Sequence, residues 1–126
     1  MSDETRKIAV TRMYHDESGE SHYIDEMLEV TAANFAPPAP SLYVSEGVPA
    51  KQVVYLFLPK GWVGDFHPAP RRQFMTMITG SLESTVSDGE TRFFGPGSTT
   101  LVEDTEGKGH WTKAHEDTTM IVSQLG

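Results

Sequence analysis

The chain has 126 residues, a formal net charge of −8 and no cysteine. This length fits one compact domain, and we take residues 1–126 as that domain. Because nucleic-acid binding needs clustered Lys and Arg to neutralise phosphates, the acidic balance predicts no nucleic-acid partner. The lack of cysteine excludes disulfides, thiolate metal ligands and a cysteine nucleophile, which leaves histidine, carboxylate and amide chemistry.

The N-terminal segment and the apolar runs predict no membrane partner. Met1 to Arg6 is polar and charged, unlike the basic start and apolar stretch of a secretory signal. No apolar run approaches the roughly 20 residues that a membrane helix needs. We therefore expect a cytoplasmic protein.

The N-terminal part of the chain reads as a hairpin and a connector. Loose alternation of apolar and polar residues predicts strands over Lys7 to Tyr14 and Ser21 to Val30, with Ser18 and Gly19 in the turn between them. Each proline in Ala36 to Pro40 removes a backbone donor, so this segment is predicted to be an extended connector outside a sheet.

The remaining elements are also predicted strands. Gln52 to Leu58 is continuous, β-branched and aromatic, which is typical of a strand buried on both faces. Further strands are predicted over Phe74 to Thr79, Leu82 to Val86, Thr91 to Phe94, Thr99 to Val102 and Thr118 to Leu125. About nine or ten short strands with glycine and proline turns indicate an all-β sandwich, jelly roll or closed barrel.

The segment from Gly61 to Gly80 resembles the first cupin motif, G-x5-H-x-H-x3-4-E-x6-G. The spacings of Gly61, His67, Gln73 and Gly80 match the motif, but two of its polar positions are changed. Ala69 stands where the second histidine would be, and Gln73 stands where the glutamate would be.

The later segment GPGSTTLVEDTEGKGHWTKA resembles the second cupin motif, G-x5-P-x-G-x2-H-x3-N. Gly107 and His110 match its G-x2-H ending, whereas Thr105 replaces the proline and Ala114 replaces the asparagine. The resemblance covers residues 51–115. It implies a double-stranded β-helix, the RmlC-like jelly-roll barrel, with ligand residues pointing inward, often around Fe, Mn, Ni or Zn, and frequently a homodimer.

The proposed site residues are those that the motifs and strand alternation bring together. Side chains at every second position of a strand share a face. If the strand is uninterrupted, six side chains therefore point to the same face: His67, Ala69, Arg71, Gln73, Met75 and Met77. An antiparallel neighbour carrying His110 would add a second imidazole, so the expected metal ligands are His67, Gln73 and His110.

Two imidazoles and one amide oxygen are a weak, open set of ligands. Imidazole favours Zn, Ni or Fe over Mg. A fourth ligand could be His22, His115 or water, and a metal-free barrel is an equal alternative.

Arg71, if it faces the interior, needs either an anionic ligand or a carboxylate such as Glu103 or Asp104. Either carboxylate could instead act as a general base if burial raised its pKa. The aromatic and methionine side chains Tyr55, Phe57, Trp62, Met75 and Met77 belong to the core or to an apolar pocket.

Two functions are compatible with these residues. The first is an enzyme of isomerase, lyase or dioxygenase type that acts on a small organic acid or carbonyl compound in the barrel. In it His67 and His110 hold a metal or act as acid and base, and Arg71 orients the anion. The second is a non-catalytic, metal-free module for ligand binding or dimerisation, favoured by Ala69 and Gln73. Residues 52–58 and the cupin resemblance predict a homodimer.

Overall fold

The computed structural model describes residues 4–126, and this range contains eleven strands. In chain order they are β1 (Thr5–His15), β2 (Ser21–Ala33), β3 (Leu42–Val44), β4 (Gln52–Leu58), β5 (Val63–His67), β6 (Gln73–Thr79), β7 (Leu82–Val86), β8 (Thr91–Phe94), β9 (Thr99–Val102), β10 (His110–Ala114) and β11 (Thr118–Gln124). Within this range no helix has the length and apolarity needed to cross a bilayer. The prediction for Met1 to Arg6 lies partly outside the described residues.

The strands form two sheets that enclose the core. The larger has seven strands in the order β3-β2-β1-β9-β6-β11-β4, and the smaller has four in the order β5-β10-β7-β8. The pairing of β1 with β9 is parallel. Buried side chains of both sheets pack together, such as Met120 and Val122 of β11 against Leu82 of β7. This two-sheet jelly-roll architecture confirms the predicted all-β fold class.

Local sequence signals located most strands correctly. The predicted N-terminal hairpin is β1 and β2, paired without a break from Thr5 with Thr31 to His15 with Ser21. The prolines of residues 36–40 lie between β2 and β3, as predicted for a connector. The segment is not extended, because it forms a turn in which the amide of Ala39 donates a hydrogen bond of 2.9 Å to the carbonyl of Ala36. Among the residues described, β3, β5 and β10 are strands that the sequence pattern did not predict.

The predicted continuous strand from His67 to Met77 is wrong. β5 ends at His67 in the four-stranded sheet, and β6 begins at Gln73 in the seven-stranded sheet. The residues between them include Pro68 and Pro70, and proline cannot donate to a strand ladder. The two-residue alternation therefore fails across this segment.

The composition of β4 predicted a strand buried on both faces, and this prediction is wrong. It pairs with β11 alone among the described strands and forms an end of the seven-stranded sheet. Its outward residues Val53, Tyr55 and Phe57 are 57%, 73% and 61% exposed. Nothing in the described chain covers this face, so β4 is an edge strand with one apolar face in contact with solvent. The homodimer expected from this strand stays a prediction.

Candidate functional site

A cavity of about 310 Å³ lies between the two sheets. This volume is at the lower end of the range for small-molecule pockets. The seven-stranded sheet lines it with aliphatic and thioether side chains, including Val54, Leu56, Met75, Met77 and Met120. The four-stranded sheet contributes His67 and His110, together with Leu82 and Phe94. The cavity is therefore largely apolar, with two imidazoles in its wall.

The structure brings together the two histidines that lie at cupin motif positions. His67 ends β5 and His110 begins β10, and the two residues are antiparallel partners in the four-stranded sheet. Their ring centroids are 5.1 Å apart, and the ring planes are inclined by 47°. His67 is exposed at the mouth, whereas His110 is 9% exposed. Two sequence-distant imidazoles thus face one interior space.

The close approach of the two histidine segments depends on Gly109. This residue has a φ of 73°, a left-handed conformation that side chains with a Cβ rarely adopt. A Cβ at this position would overlap the backbone carbonyl of His67 and the nitrogen of Pro68. The carbonyl of Gly109 accepts a buried hydrogen bond of 2.6 Å from the Ser21 hydroxyl. Glycine is therefore required where the loop before β10 passes β5.

Asp104 orients the His110 ring. The Nδ1 of His110 lies 2.6 Å from Oδ2 of Asp104, whose side chain is fully buried. A carboxylate accepts, so Nδ1 carries the proton, and Nε2 is left with a lone pair. The backbone carbonyl of Asp104 accepts a hydrogen bond of 3.0 Å from the amide of Ala69. Within residues 4–126 the other oxygen, Oδ1, is buried without a hydrogen-bond partner.

His67 has the same tautomer for a different reason. Its Nδ1 lies 2.6 Å from the backbone carbonyl oxygen of Asp65. Because a carbonyl can only accept, Nδ1 of His67 is the donor. Nε2 of each of the two imidazoles is thus an acceptor that is available to a ligand.

A buried tyrosine packs with Ala69 and Val86 next to this site. The hydroxyl of Tyr23 donates a hydrogen bond of 2.8 Å to the carbonyl of Ser84, and burial raises the pKa of Tyr23 to about 12. In such surroundings the bond between His110 and Asp104 is stronger than it would be in water.

Gln73 lines the same cavity from the opposite sheet. It is 7% exposed, and its side-chain oxygen accepts a hydrogen bond of 3.1 Å from the Nε2 of Gln124. The sequence pattern had not indicated Gln124, although alternation along β11 places it on the same face as Met120 and Val122. The two amides form a polar pair in the cavity wall.

The residues present do not fit the metal that the cupin resemblance implies. Catalytic transition-metal sites commonly have three protein ligands of imidazole and carboxylate type. Among residues 4–126 no group of three or more His, Cys, Asp or Glu side chains could hold a metal ion. Ala69 offers a methyl group where the motif has an imidazole, and the carboxylate of Asp104 is bound to Nδ1 of His110. We therefore derive no chemical step through a metal.

The suggested fourth ligands lie elsewhere. His22 uses both ring nitrogens, 2.7 Å from Asp16 and 2.8 Å from Asp88. His115 is bound through Nε2 to Glu83 at 2.7 Å. Neither histidine lines the cavity.

Arg71 does not face the cavity, contrary to the prediction from strand alternation. It is half-buried in the connector between β5 and β6, where the two-residue period of a strand does not apply. The cavity lining does not include it. The structure therefore gives no support to Arg71 as an anion clamp for a ligand in the barrel.

Glu103 is held by two arginines and is not a general base. Its carboxylate accepts a hydrogen bond of 2.7 Å from Nε of Arg72 and a second one from Nε of Arg12. Burial alone would raise the pKa of Glu103, but the hydrogen bonds from Arg12 and Arg72 outweigh burial and hold the pKa below its usual range. Of the two acidic residues considered from sequence, Asp104 is the one joined to the site.

Comparisons with known proteins do not identify a function. No family model matches the sequence, and no curated protein is similar to it. The Cnp3 cupin domain of Schizosaccharomyces pombe is similar at 10% identity and a TM-score of 0.44, over 94% of this chain and 83% of that one.

Two further solved structures are similar over part of the chain. One is a conserved protein of unknown function from Streptococcus pyogenes, with 26% identity and a TM-score of 0.49 over 58% of this chain and 61% of that one. The other is FixK2 from Bradyrhizobium japonicum, with 21% identity and a TM-score of 0.45 over 60% of this chain and 40% of that one. The chain thus spans under two thirds of either protein, and these likenesses say nothing of its activity.

Proposed function

We propose that the chain binds a small organic molecule in the cavity between its sheets and transfers a proton at the end where the two imidazoles lie. The observation that carries this proposal is the buried pair of Asp104 and His110, which leaves Nε2 of His110 available at the wall of an apolar cavity. A histidine whose Nδ1–H is held by a buried carboxylate is a well-oriented general base.

The roles of the two imidazoles follow from their hydrogen bonds. Nε2 of His110 accepts a proton from carbon or oxygen of the ligand, and Asp104 stabilises the imidazolium that forms. The His110 imidazolium then returns this proton to another atom of the ligand or to its leaving group, and Nε2 of His67, whose ring centroid is 5.1 Å away, accepts a hydrogen bond from a hydroxyl of the ligand. Isomerisation and elimination are the two proposed reaction types that need no oxidant, and a carbonyl compound is the substrate type that acidifies a neighbouring C–H bond.

Exchange of carbon-bound hydrogen tests this proposal without knowledge of the natural substrate. Small ketones and aldehydes are incubated in D2O with wild-type protein, His110→Ala or His67→Ala, and the C–H signal is followed by NMR. We expect wild type to accelerate exchange, and His110→Ala to lower the rate by about 10² to 10⁴. His115→Ala, which changes a histidine outside the cavity, is the matched control and should keep the wild-type rate.

Two results would contradict proton transfer at His110. One is exchange in the His110→Ala protein at the wild-type rate, with an unchanged circular dichroism spectrum. The other is the absence of acceleration by wild type with every carbonyl compound that binds to it.

The second candidate function is ligand binding without catalysis. It is favoured by Gln73, whose amide is bound to Gln124, and by Ala69, because neither offers an acid or a base at its motif position. This function predicts saturable binding by wild type with no exchange above the uncatalysed rate. In that case His110→Ala should change the affinity for the ligand and nothing else.

A further inference from the structure

We infer that the ligand of this cavity is an uncharged, mostly apolar molecule with one hydrogen-bonding group at one end, such as a ketone, aldehyde, alcohol or amide. This inference rests on the proposed function and specifies its ligand class. A cationic Arg71 in the barrel would have favoured an organic acid, whereas the ligand inferred here carries no charge.

The charges around the cavity argue against an anion. Among the lining residues that the structure describes there is no Lys, Arg, Asp or Glu, and the titratable ones are His67 and His110. Directly behind His110 lies the fully buried carboxylate of Asp104. A carboxylate ligand would leave water, meet no permanent cation and approach this negative charge, which is costly in a largely apolar cavity.

The arginines nearest in sequence to the lining residues lie outside the cavity. Arg12 and Arg72 both bind Glu103, and the distance from Nη2 of Arg72 to Oε2 of Glu103 is 2.6 Å. Arg71 is in the connector between β5 and β6 and is not part of the lining. No arginine of the described chain is thus placed to neutralise an anion in the barrel.

The cavity has a polar end and an apolar end. His110 pairs in register with Val86, and Gln73 pairs with Val102, and both valines belong to one buried cluster. The other buried cluster consists entirely of aliphatic and thioether side chains: Leu58, Met77, Leu82, Ala114, Met120 and Val122. The ligand would place its hydrogen-bonding group beside the imidazoles and its hydrocarbon part against the second cluster.

The methionines of the cavity wall also suit ligands of variable shape. Four of the lining residues are methionines, Met13, Met75, Met77 and Met120. Methionine is flexible and polarizable, so it adapts to irregular apolar groups and contacts aromatic rings favourably. A single aromatic ring is therefore a suitable hydrocarbon part for a probe of this cavity.

Matched probes of nearly equal shape test the charge preference. Benzamide, benzyl alcohol and benzoate are titrated into the protein at pH 8, where an unperturbed imidazole with a pKa of about 6.5 is neutral, and binding is measured by ligand-observed NMR. We expect the neutral probes to bind at least tenfold more tightly than benzoate. Arg71→Ala should leave all three affinities unchanged.

A pair of substitutions on opposite faces of β4 locates the binding. Val54 points into the cavity, whereas Val53 is exposed on the outer face of the same strand. Val54→Phe should reduce the affinity for benzamide at least tenfold because its ring occupies the cavity. Val53→Phe adds the same group outside and should leave the affinity unchanged.

Each result has a separate meaning for the two proposals. Benzoate binding as tightly as benzamide, above all if Arg71→Ala abolishes it, would overturn the ligand class and leave a small-molecule site in the barrel. Benzamide binding that Val54→Phe does not weaken would place the site elsewhere and overturn both proposals. If none of the three probes bound, both proposals would likewise fail.

Discussion

Two histidine–aspartate clusters in this protein differ in what they leave available. His22 is bound by Asp16 through one ring nitrogen and by Asp88 through the other, at the turns that end two hairpins. His110 is bound by Asp104 through Nδ1 alone, inside the barrel wall. An imidazole with two carboxylate partners links two turns and has no nitrogen left for a ligand, whereas one with a single partner is oriented and can still react.

The surroundings of the two clusters differ as well. The side chain of His22 is 27% exposed and that of His110 is 11% exposed. The hydrogen bonds that His22 donates to Asp16 and then to Asp88 raise the pKa of His22, and the hydrogen bond from His22 holds the pKa of Asp16 well below its usual range. The outer cluster is therefore an ion pair that contributes to stability, and the inner one is a candidate for chemistry.

Gly109→Ala should have the largest effect, because it separates the two imidazoles of the inner site. The added Cβ would overlap the backbone of His67 and occupy a left-handed φ, and we expect a loss of at least about 3 kcal/mol in the free energy of unfolding. Chemical denaturation measures this loss.

Gly89→Ala is the matched control for that substitution. Gly89 has a φ of 100°, and a Cβ added there would have no atom within 4 Å, so its replacement tests backbone strain alone. The expected loss is about 1 to 2 kcal/mol. Equal losses for the two variants would show that the contact with the His67 backbone adds nothing.

Asp104→Asn should change the inner histidine without removing it. The amide would donate to Nδ1 of His110, so the ring proton would move to Nε2 and the base would be lost. We expect the exchange rate of the carbonyl probes to fall by about 10² or more, and the nitrogen-15 shifts of His110 to report the other tautomer. Asp88→Asn, which alters the outer cluster, should keep both the rate and the tautomer; an unchanged tautomer in Asp104→Asn would contradict the assigned role.

The contribution of the outer cluster to stability should depend on pH. The pKa of His22 is raised in the folded state, so its contribution is complete below the unfolded value of about 6.5 and is lost as pH rises through the folded one. The pKa of Asp16 is lowered, so its contribution is complete above about 3.9 and is lost as pH falls through the folded value. The difference in melting temperature between wild type and His22→Gln should thus be largest near pH 5 and smaller at pH 9. A difference that grew towards pH 9 would rule out this ion pair.

The third histidine pair should have the smallest effect. His115 and Glu83 have side chains that are 39% and 26% exposed, and the pair joins one nitrogen to one carboxylate. Exposed ion pairs contribute little, so His115→Gln should change the free energy of unfolding by no more than about 0.5 kcal/mol. Denaturation at pH 7 measures this change, and a loss above about 1.5 kcal/mol would show that His115 supports the fold as well as its ion pair.

Short-range signals in the sequence predicted most of the fold. Alternation and turn residues predicted β7, β8 and β9 with their observed bounds, because each depends on neighbours a few residues away. The burial of β4 was mispredicted, since its composition cannot reveal that the strand lies at the end of a sheet. The break between β5 and β6 was missed, although Pro68 and Pro70 signalled it.

The candidate site was predictable in part. Motif spacing indicated His67 and His110, and the structure places them as strand partners. The hydrogen bond that His110 donates to Asp104 was not predicted, because contacts with residues distant in sequence fix the loop that carries Asp104. The amide of Ala69 donates to the carbonyl of Asp104, and the amide of Glu103 donates at 2.7 Å to the carbonyl of Met13. Neither contact has a local signal in the sequence.

The division of the cavity wall between the two sheets has a consequence for how such a protein can diverge. His67 and His110 belong to the four-stranded sheet, and half of the apolar lining residues belong to β4, β6 and β11 of the other sheet. Substitutions in those three strands can alter the shape of the molecule that the cavity accepts without changing the two imidazoles. Under the proposed function, the two sheets would thus separate the choice of ligand from its chemistry.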